Sequence, residues 1–417
     1  MVTFISFNMK FRYLLLKEES SISFGQLLAI SILVAFTLAW FLLLQIYFID
    51  VLKSILGKSI WVCINILLFY GFGAISAIIG TRFTDIVQQK KLLAFWIVLG
   101  SLTTATWTIC QGLIISIFLS ILLGFSLGLG FPSIQSFLAN STEWTDRARV
   151  AGITILASLI VMFFSMILIS FMDLSQIFVL LALVRMVSIF GLFIDKSKKS
   201  SAKQASWSWL LQNRDFLNYI FPWLMYNVVS GIRQWWNVSQ IDQSLLVFGS
   251  ILFLICAAFL AYVAGVIADY KGRKYSIVIG MLLMGVSYTI LGVKLSPIIF
   301  LTYSVLSGAA WGFILPLYIT VPGDLAKKYE RSSEKFYALG TVIPFILFLL
   351  FSTLPELYPI IKISPEGLAP FLSIIIFIST IPVVFAEETL PKKLLEKRRW
   401  KKHMDELGKL KQEQQYT

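Results

Sequence analysis

The chain has 417 residues, of which 58% are hydrophobic and only 14% carry a charged side chain. Soluble globular proteins are nearer half apolar and a quarter charged, so a mean hydropathy of +0.83 excludes an ordinary soluble domain. The net charge of +13 does not indicate a nucleic-acid partner, because the basic residues lie between apolar runs, where membrane topology accounts for them.

Twelve apolar runs, each long enough to cross a bilayer as a helix of about 20 residues, follow one another along the chain. The first six lie at about 25–49, 59–81, 91–110, 112–138, 150–171 and 175–194. The second six lie at about 218–240, 245–268, 275–293, 297–321, 336–355 and 369–386. The sequence therefore predicts an all-α membrane protein with twelve transmembrane helices, six on each side of a polar central stretch.

The predicted organisation has five parts. They are a cytoplasmic N-terminal tail (1–24), a first six-helix bundle (25–195), a cytoplasmic linker (196–217), a second six-helix bundle (218–386) and a basic cytoplasmic C-terminal tail (387–417). Most of the 35 lysines and arginines fall in the tails, the linker and the loops on the same side of the membrane. Because positive residues concentrate in cytoplasmic segments, we expect both termini in the cytoplasm and the protein in the plasma membrane.

The two halves of the chain repeat one another. A Gly-x-x-x-Gly-x-x-x-Pro pattern in the fourth predicted span recurs 184 residues later in the tenth. Its residues are Gly124, Gly128, Pro132, Gly308, Gly312 and Pro316. Asp85 and Asp269 are separated by the same 184 residues. Two independent features at one offset indicate a duplicated six-helix unit with pseudo-twofold symmetry, in which the glycine and proline residues act as helix hinges.

A short charged turn joins the eighth and ninth predicted spans. Its pattern, G-x-x-x-D-x-[KR]-G-[KR]-[KR], is formed by Gly265, Asp269, Lys271, Gly272, Arg273 and Lys274. Gly265 lets two helices approach closely, and Gly272 allows a tight reversal of the chain. The Asp269 carboxylate is placed where it could meet the free N–H groups at the N-terminus of a neighbouring helix.

This turn resembles the signature loop of the major facilitator superfamily of transporters, in which two six-helix bundles enclose a solute path. The resemblance implies that the loop helps to lock an inner gate between the halves, with Asp269 at the N-terminus of the fifth span near Arg149. The first-half counterpart lacks the turn glycine, and its acidic residue, Asp85, is expected to meet the eleventh span near Ser333. The alternative is that these charges only anchor the loops at the membrane surface.

Acidic and basic residues also follow the fourth and tenth spans, from Glu143 to Arg149 and from Asp324 to Arg331. These loops look like those of sugar-porter-like members of the superfamily, as does the Glu387–Pro391 segment after the last span. Together with Arg82 of the first-half loop, they complete the predicted inner gate. The fifth span lacks the Gly-Pro element typical of proton-linked drug antiporters, which weakens the case for antiport.

The resemblance places the solute path along the first, fourth, seventh and tenth spans. Polar and aromatic residues there, with two ionisable residues, are the cavity candidates: Gln45, Asp50, Gln135, Arg185, Tyr226, Asn227, Trp311 and Tyr318. An ionisable residue inside the bilayer is costly, so Arg185 is expected either to bind an anionic solute or to pair with a carboxylate or helix end. Asp50 is expected to be either a proton site or a carboxylate at the end of a loop.

Enzyme chemistry has little support in the sequence. The single histidine, His403, lies in the basic tail, and the sequence has no metal-spaced Cys/His cluster and no phosphate-binding glycine loop, so neither cofactor nor metal is expected. The predicted function is a monomeric symporter or uniporter for a small organic solute, with a sugar-like solute favoured, working by alternating access. The alternatives are a proton-linked drug or metabolite efflux transporter, and a non-transporting sensor or scaffold on the same fold. Membrane lipid and a coupling proton or cation are the other expected partners.

Overall fold

The structure is a computed structural model, and it describes residues 22–57, 59–110, 112–194, 205–233, 241–293, 295–357, 365–392, 394–396 and 400. Twelve long helices, numbered in chain order, make up most of these residues. The first six are α1 (Phe24–Leu56), α2 (Ile60–Ile86), α3 (Gln89–Thr106), α4 (Leu113–Asn140), α5 (Arg147–Ile169) and α6 (Leu174–Val187). The second six are α7 (Arg214–Ile232), α8 (Gln243–Lys271), α9 (Arg273–Leu291), α10 (Pro297–Lys328), α11 (Glu334–Leu357) and α12 (Pro365–Phe385).

These apolar runs are helical because lipid offers no hydrogen-bond partner to the backbone, and a helix satisfies its own N–H and C=O groups. Local signals set the helix ends. At the start of α1, the backbone N–H of Gln26 donates to Ser23 Oγ at 3.2 Å, while the N–H of Ser23 donates to Gln26 Oε1 at 3.1 Å. Gly272 separates α8 from α9 with a φ of 112°, a conformation that few other residues adopt.

The predicted all-α membrane architecture is confirmed. Eleven of the twelve long helices are long and apolar enough to cross a membrane, within the described residues. The twelfth, α7, is less apolar because it carries two charged residues, three other polar residues, two tyrosines and one tryptophan: Arg214, Asp215, Asn218, Asn227, Ser230, Tyr219, Tyr226 and Trp223. This composition has a structural explanation, because one face of α7 lines an internal cavity described below.

The ends of several helices differ from the predicted spans, and those of α1, α7 and α10 bear on the candidate residues. Helix α1 continues to Leu56, so Asp50 lies inside a helix and not at its end. Helix α7 begins earlier than predicted because Asn213 caps it, accepting a hydrogen bond from the Phe216 N–H at 2.9 Å, and it ends at Ile232. Residues 234–240, which the seventh predicted span includes, lie outside the described part of the chain. Helix α10 runs to Lys328 and so includes Asp324, Lys327 and Lys328, which follow the tenth predicted span.

The internal repeat is visible in the helix contacts. A Cβ atom on Gly124 of α4 would collide with the carbonyl oxygen of Phe69 on α2, and one on Gly308 of α10 would collide with the carbonyl of Phe253 on α8. The two phenylalanines are separated by the same 184 residues as the two glycines. The second glycine of each pattern makes the equivalent close approach to the backbone of α2 or α8. The glycines therefore let two pairs of helices pack backbone against backbone.

The two halves meet along two seams. In one seam α5 crosses α8, where Cβ atoms on Gly152 or Gly265 would collide with backbone carbonyls of the opposite helix. In the other seam α2 packs against α11, and a Cβ on Gly73 would lie 3.2 Å from the Phe345 ring. Buried apolar residues fill the interior of each half, and those of the first half extend to Ala257, Ala261 and Phe345 of the second. The halves are thus packed bundles joined along their length.

Replacing Gly128 with alanine should destabilise the protein, because the added methyl group would collide with the Gly73 carbonyl oxygen and Ser76 Oγ. Overpacking of this kind costs about 1–3 kcal/mol. The measurement is the unfolding midpoint in detergent. Gly25→Ala is the control, since a Cβ at Gly25 has no neighbour within 4 Å, and equal midpoints for the two variants would contradict the packing argument.

Candidate functional site

A cavity lies between the two halves, lined by α1, α4 and α5 of the first half and by α7, α10 and α11 of the second. The space between its walls, counted together with its open mouth, is about 1080 Å³. Because both halves contribute to the wall, a rocking movement of one half against the other would change the shape of the cavity.

Four of the aromatic side chains that the second half contributes to the wall contact one another. The Trp223 ring stacks on Tyr318 with centroids 4.6 Å apart and on Tyr226 with centroids 5.6 Å apart. The edge of Trp311 meets Tyr226 at 5.9 Å. Trp223 is fixed by its indole N–H, which donates to the Gly340 carbonyl at 2.9 Å. The stacked rings offer a flat apolar surface to a solute.

The facing wall combines phenylalanine rings with two amides. The Phe41 centroid lies 5.1 Å from that of Phe131 and 6.0 Å from that of Phe345. Gln45 of α1 and Gln135 of α4 also line the cavity. Hydrogen-bonding groups are therefore few on this side, and apolar rings separate them.

Some of the polar atoms that face the cavity lack hydrogen-bond partners. Within the described residues, Gln45 Nε2 and Tyr318 Oη are buried and have none. Tyr318 is only 9% exposed. A buried donor without a partner is costly, so these two atoms are suited to bind a polar group of a solute. No charged side chain occurs among the described residues of the wall.

Six of the eight sequence-derived candidates line the cavity: Gln45, Gln135, Tyr226, Asn227, Trp311 and Tyr318. The other two do not line it: Asp50 is exposed in the last turns of α1, and Arg185 is buried within the first half. Sequence reasoning missed Trp223, although it lies three and four residues before Tyr226 and Asn227 and so on the same helix face. It also missed Tyr337, which lies on α11, a helix outside the expected solute path.

Arg185 is fully buried inside the first half. Its guanidinium carbon lies 3.8 Å from the centroid of the Trp40 ring and 4.6 Å from that of Trp96. Its Nη2 donates to the carbonyls of Trp96 at 3.0 Å and Ser126 at 3.2 Å. Gly100 leaves room for the guanidinium, since a Cβ there would collide with it. Carbonyls and aromatic faces therefore hold this cation in place of the expected carboxylate or helix end.

The end of the bundle that carries the α4–α5, α8–α9 and α10–α11 connections is here called the charged face. Four residues form a buried charge cluster at this face: Arg147, Asp324, Arg273 and Asp269. Arg147 Nη1 lies 2.5 Å from Asp324 Oδ1, Asp324 Oδ2 lies 2.9 Å from Arg273 Nε, and Arg273 Nη1 lies 2.6 Å from Asp269 Oδ1. Each of these side chains is at most 2% exposed. The alternating charges join the first half, through Arg147, to the second.

The Asp269 carboxylate also binds the N-terminus of α5. Its Oδ2 accepts the backbone N–H of Arg149 at 2.9 Å, and its Oδ1 accepts that of Ala148 at 3.2 Å. Gly265 makes this possible, because any side chain there would collide with the Ala148 carbonyl. A carboxylate at a helix N-terminus is favourable, so this contact stabilises closure of the charged face.

Arg147 is the member of the cluster that the sequence did not single out. Its Nη2 donates to the carbonyls of Ala139 at 2.8 Å and Thr142 at 3.0 Å, which orients Nη1 toward Asp324. The predicted gate residue Arg149 contributes its backbone N–H to Asp269, and its own guanidinium Nε has no partner within the described residues.

The segment after α12 completes the charged face. The Glu388 carboxylate accepts the backbone N–H groups of Arg273 at 2.8 Å and Lys274 at 3.1 Å, which caps α9. Gly272 must lack a side chain here, because a Cβ would collide with Glu388. Thr389 Oγ1 lies 3.3 Å from Asp324 Oδ2.

The remaining predicted gate residues lie around the cluster, nearer to solvent. Glu143 forms an ion pair with Lys327 at 2.6 Å, in which the two side chains are 58% and 40% exposed. The guanidinium of Arg331 lies 5.9 Å from the Trp209 ring centroid, and Lys271 Nζ lies 4.8 Å from that of Tyr275.

Arg82 is exposed. The side chain of Asp85 is not among those that the structure describes, so its predicted contact lies outside the described part of the chain. Ser333, the expected partner of Asp85, donates to Ser136 Oγ of α4 at 2.9 Å. Ser136 Oγ in turn donates to Glu334 Oε1 at 2.9 Å. Hydroxyl groups and one carboxylate therefore join α4 to α11.

A third group of contacts at the charged face lies within the second half. Lys328 Nζ lies 2.7 Å from Asp215 Oδ2, and Tyr329 Oη donates to the same oxygen at 2.7 Å. Partial burial, reinforced by the hydrogen bond to Asp215, raises the pKa of the Tyr329 phenol. The phenol therefore stays protonated as the donor to this carboxylate.

Comparison with known proteins shows which family this architecture belongs to. The sequence model of the Major Facilitator Superfamily matches residues 27–333. The chain therefore belongs to the major facilitator superfamily, and it is a multi-pass membrane transporter of small molecules. No curated protein sequence matches it.

Two solved structures share the fold. The human organic anion transporter MFSD10 (TETRAN) superposes with a TM-score of 0.66 at 11% identity, covering 86% of this chain and 99% of that one. The proton:xylose symporter XylE bound to 6-bromo-6-deoxy-D-glucose gives the same TM-score of 0.66 and 11% identity, covering 88% and 96%. At this identity the likeness concerns the fold alone.

Asp324→Asn should destabilise the protein strongly, because it leaves Arg147 and Arg273 buried with one carboxylate fewer. Breaking a buried ion pair costs about 3–5 kcal/mol. Glu143→Gln makes the same chemical change in an exposed pair on the same face, where about 1 kcal/mol or less is expected. Unfolding midpoints in detergent compare the two variants, and equal losses would show that burial of the cluster does not matter.

Arg185→Lys keeps the charge but loses the planar group between Trp40 and Trp96, so we expect a lower unfolding midpoint. Solute affinity of the folded fraction should not change, because Arg185 lies outside the cavity wall. Gly100→Ala should lower the midpoint in the same way, since its methyl group would collide with the guanidinium. A stable Arg185→Lys protein with weakened solute binding would contradict the structural role.

Proposed function

We propose that the protein carries an uncharged organic solute across the membrane by alternating access of the central cavity. One observation supports this most directly: the described wall combines stacked aromatic rings with amide and hydroxyl groups and brings no charged side chain to a solute. An ionic solute would lose its hydration on entering such a cavity without meeting an opposite charge. An uncharged solute avoids this loss.

The composition of the wall narrows the class of solute. The sequence favours a sugar-like solute, and the amides of Gln45, Gln135 and Asn227 beside aromatic rings suit hydroxyl groups. Most of the wall is nevertheless apolar. A sugar with hydroxyl groups all round would leave several of them unpaired, which costs free energy. We therefore propose an amphipathic ring compound with few hydroxyl groups as the preferred solute, with sugars as the second candidate.

The names of the two structural neighbours point to two different classes of solute. One is named as an organic anion transporter and the other as a proton:xylose symporter. An organic anion would call for a cationic side chain, and the described part of the wall contains none. The wall therefore resembles what an uncharged solute such as xylose requires, although its aromatic content favours a less polar molecule.

The closed charged face supports a specific orientation and state. The buried charge cluster and the Asp269 contact to α5 join the halves at one end of the cavity. Basic residues concentrate in the segments at the charged face, so we propose that this face lies in the cytoplasm. Both termini would then be cytoplasmic, and the protein would lie in the plasma membrane. The proposal keeps the predicted division of the chain into two tails, two bundles and a linker, and it takes a single chain as the transporter. The structure then represents the state that is closed toward the cytoplasm.

The test is a solute panel on the purified protein. A ligand at about 100 times its Kd stabilises the folded state by about 2.7 kcal/mol, which a thermal shift detects. We expect shifts from uncharged ring compounds, smaller shifts from sugars, and none from organic anions. Uptake into proteoliposomes, with and without a pH gradient, then tests transport and a coupling proton.

Trp311→Ala should weaken binding of the same solute roughly threefold to tenfold, the size expected for the loss of one aromatic contact. Trp61→Ala is the matched control, because Trp61 is 42% exposed on α2 and lies outside the cavity wall. Shifts produced by anions alone, or equal effects of the two variants, would contradict the proposed function.

A further inference from the structure

Helix α10 connects the cavity to the buried charge cluster over a very short distance. Pro322 lines the cavity, and Asp324 of the cluster follows two residues later. Pro316 and Pro322 both lie inside this helix and have no N–H group, so the carbonyls of Gly312 and Tyr318 lose their usual helical partners. This part of α10 is therefore weakly held by its own backbone, and its shape depends on its neighbours.

Tyr337 of α11 provides such a neighbour. It is 1% exposed, its ring forms part of the cavity wall, and its hydroxyl donates to the Ile319 carbonyl of α10 at 2.6 Å. The acceptor lies between the two prolines. One side chain thus contacts the space for a solute and also holds the weakened part of α10.

The Tyr337 hydroxyl also lies where the two halves meet. A Cβ atom on Gly323 would lie 2.7 Å from Tyr337 Oη, 2.6 Å from the Cβ of Ala139 on α4, and 3.5 Å from Arg147 Nη1. Gly323 therefore marks a junction at which α10, α11 and two segments of the first half come together. A change in the path of α10 at this point would move Asp324 relative to Arg147.

We propose that Tyr337 is a positioning residue that couples occupancy of the cavity to closure of the charged face. Its hydroxyl holds α10 in the path that brings Asp324 to Arg147. A solute that displaces the Tyr337 ring weakens the bond to Ile319, frees α10 and favours opening. The proposal rests on alternating access by this cavity, and it adds the side chain through which the solute acts.

Tyr337→Phe tests the proposal by removing only the hydroxyl. Spin labels at Ile86→Cys on α2 and Tyr270→Cys on α8, which are 80% and 44% exposed, report the distance between the halves at the charged face. The labels are placed in a background that lacks the three native cysteines. Double electron–electron resonance should show the ratio of open to closed molecules rising about threefold to tenfold, as expected for loss of one buried hydrogen bond.

Tyr219→Phe is the matched control. Its hydroxyl donates to the Glu387 carbonyl at 2.7 Å, at the same face but within the second half and outside the cavity wall. We expect the distances of this variant to equal those of the parent. If Tyr337→Phe and Tyr219→Phe give the same distribution, the proposal is overturned.

A second variant keeps the proposal testable if Tyr337→Phe folds poorly. Gly323→Ala places a methyl group 2.6 Å from Ala139 and should separate the halves at the same junction, whereas Gly367→Ala, with no neighbour within 4 Å, should not. Unchanged distances in Gly323→Ala would count against the junction. The spin-label distances are measured without solute or flux. The role of Tyr337 can therefore be confirmed even if no uncharged solute is transported, and the proposed function can fail separately.

A solute from the panel supplies the last comparison. It should increase the open population of the parent and have little further effect on Tyr337→Phe. The half-saturating concentration should change less than the maximal flux, since the hydroxyl acts on α10 and the solute contacts the ring. An equal response of parent and variant to the solute would overturn the coupling role.

Discussion

Charged groups in a protein surrounded by lipid are stable only where opposite charges or backbone dipoles face them, and the buried charge cluster meets this requirement between two separate bundles. Arg147 reaches from the first half to Asp324 in the second, and Arg273 links Asp324 to Asp269. Asp269 then returns to the first half by binding the N-terminus of α5. The ions cannot separate without exposing buried charge, so any movement that parted the halves would require water or backbone groups to replace these partners.

The position of this cluster determines what the cavity offers. The charged side chains between the halves that are described here lie at the charged face, and the described wall of the cavity is left with aromatic rings, amides and hydroxyl groups. The cavity wall is therefore built of rings and uncharged polar groups, whereas electrostatics hold the two halves together at the charged face. Along α10, Tyr318 of the cavity wall and Asp324 of the cluster are separated by less than two helical turns.

Much of this arrangement follows from the sequence, because its strongest signals are local or repeated. The glycine pattern predicted that the two halves repeat one another, and the G-x-x-x-D pattern predicted a close helix approach at Gly265 and a carboxylate beside the fifth span. The close helix contacts made by the repeated glycines, which were predicted only to act as hinges, are a finding of the structure. The partner of Asp324 was harder to identify. Arg147 and Arg149 lie two residues apart and point in nearly opposite directions from a helix, so only the rotation of α5 decides which one reaches α10. Arg185 was harder still, since aromatic faces and carbonyls leave no charge pattern in the sequence.

The low hydropathy of α7 has a consequence for how the protein is made. Among the twelve long helices described, α7 is the one whose described residues are less apolar than is usual for a membrane-spanning helix. Its polar and aromatic face is covered only when α10 and α11 are in place, through contacts such as that of the Trp223 indole with Gly340. These partners are synthesised about a hundred residues later. Burial of the polar and aromatic face of α7 therefore depends on helices that are synthesised after it, which favours assembly of the second bundle as a unit.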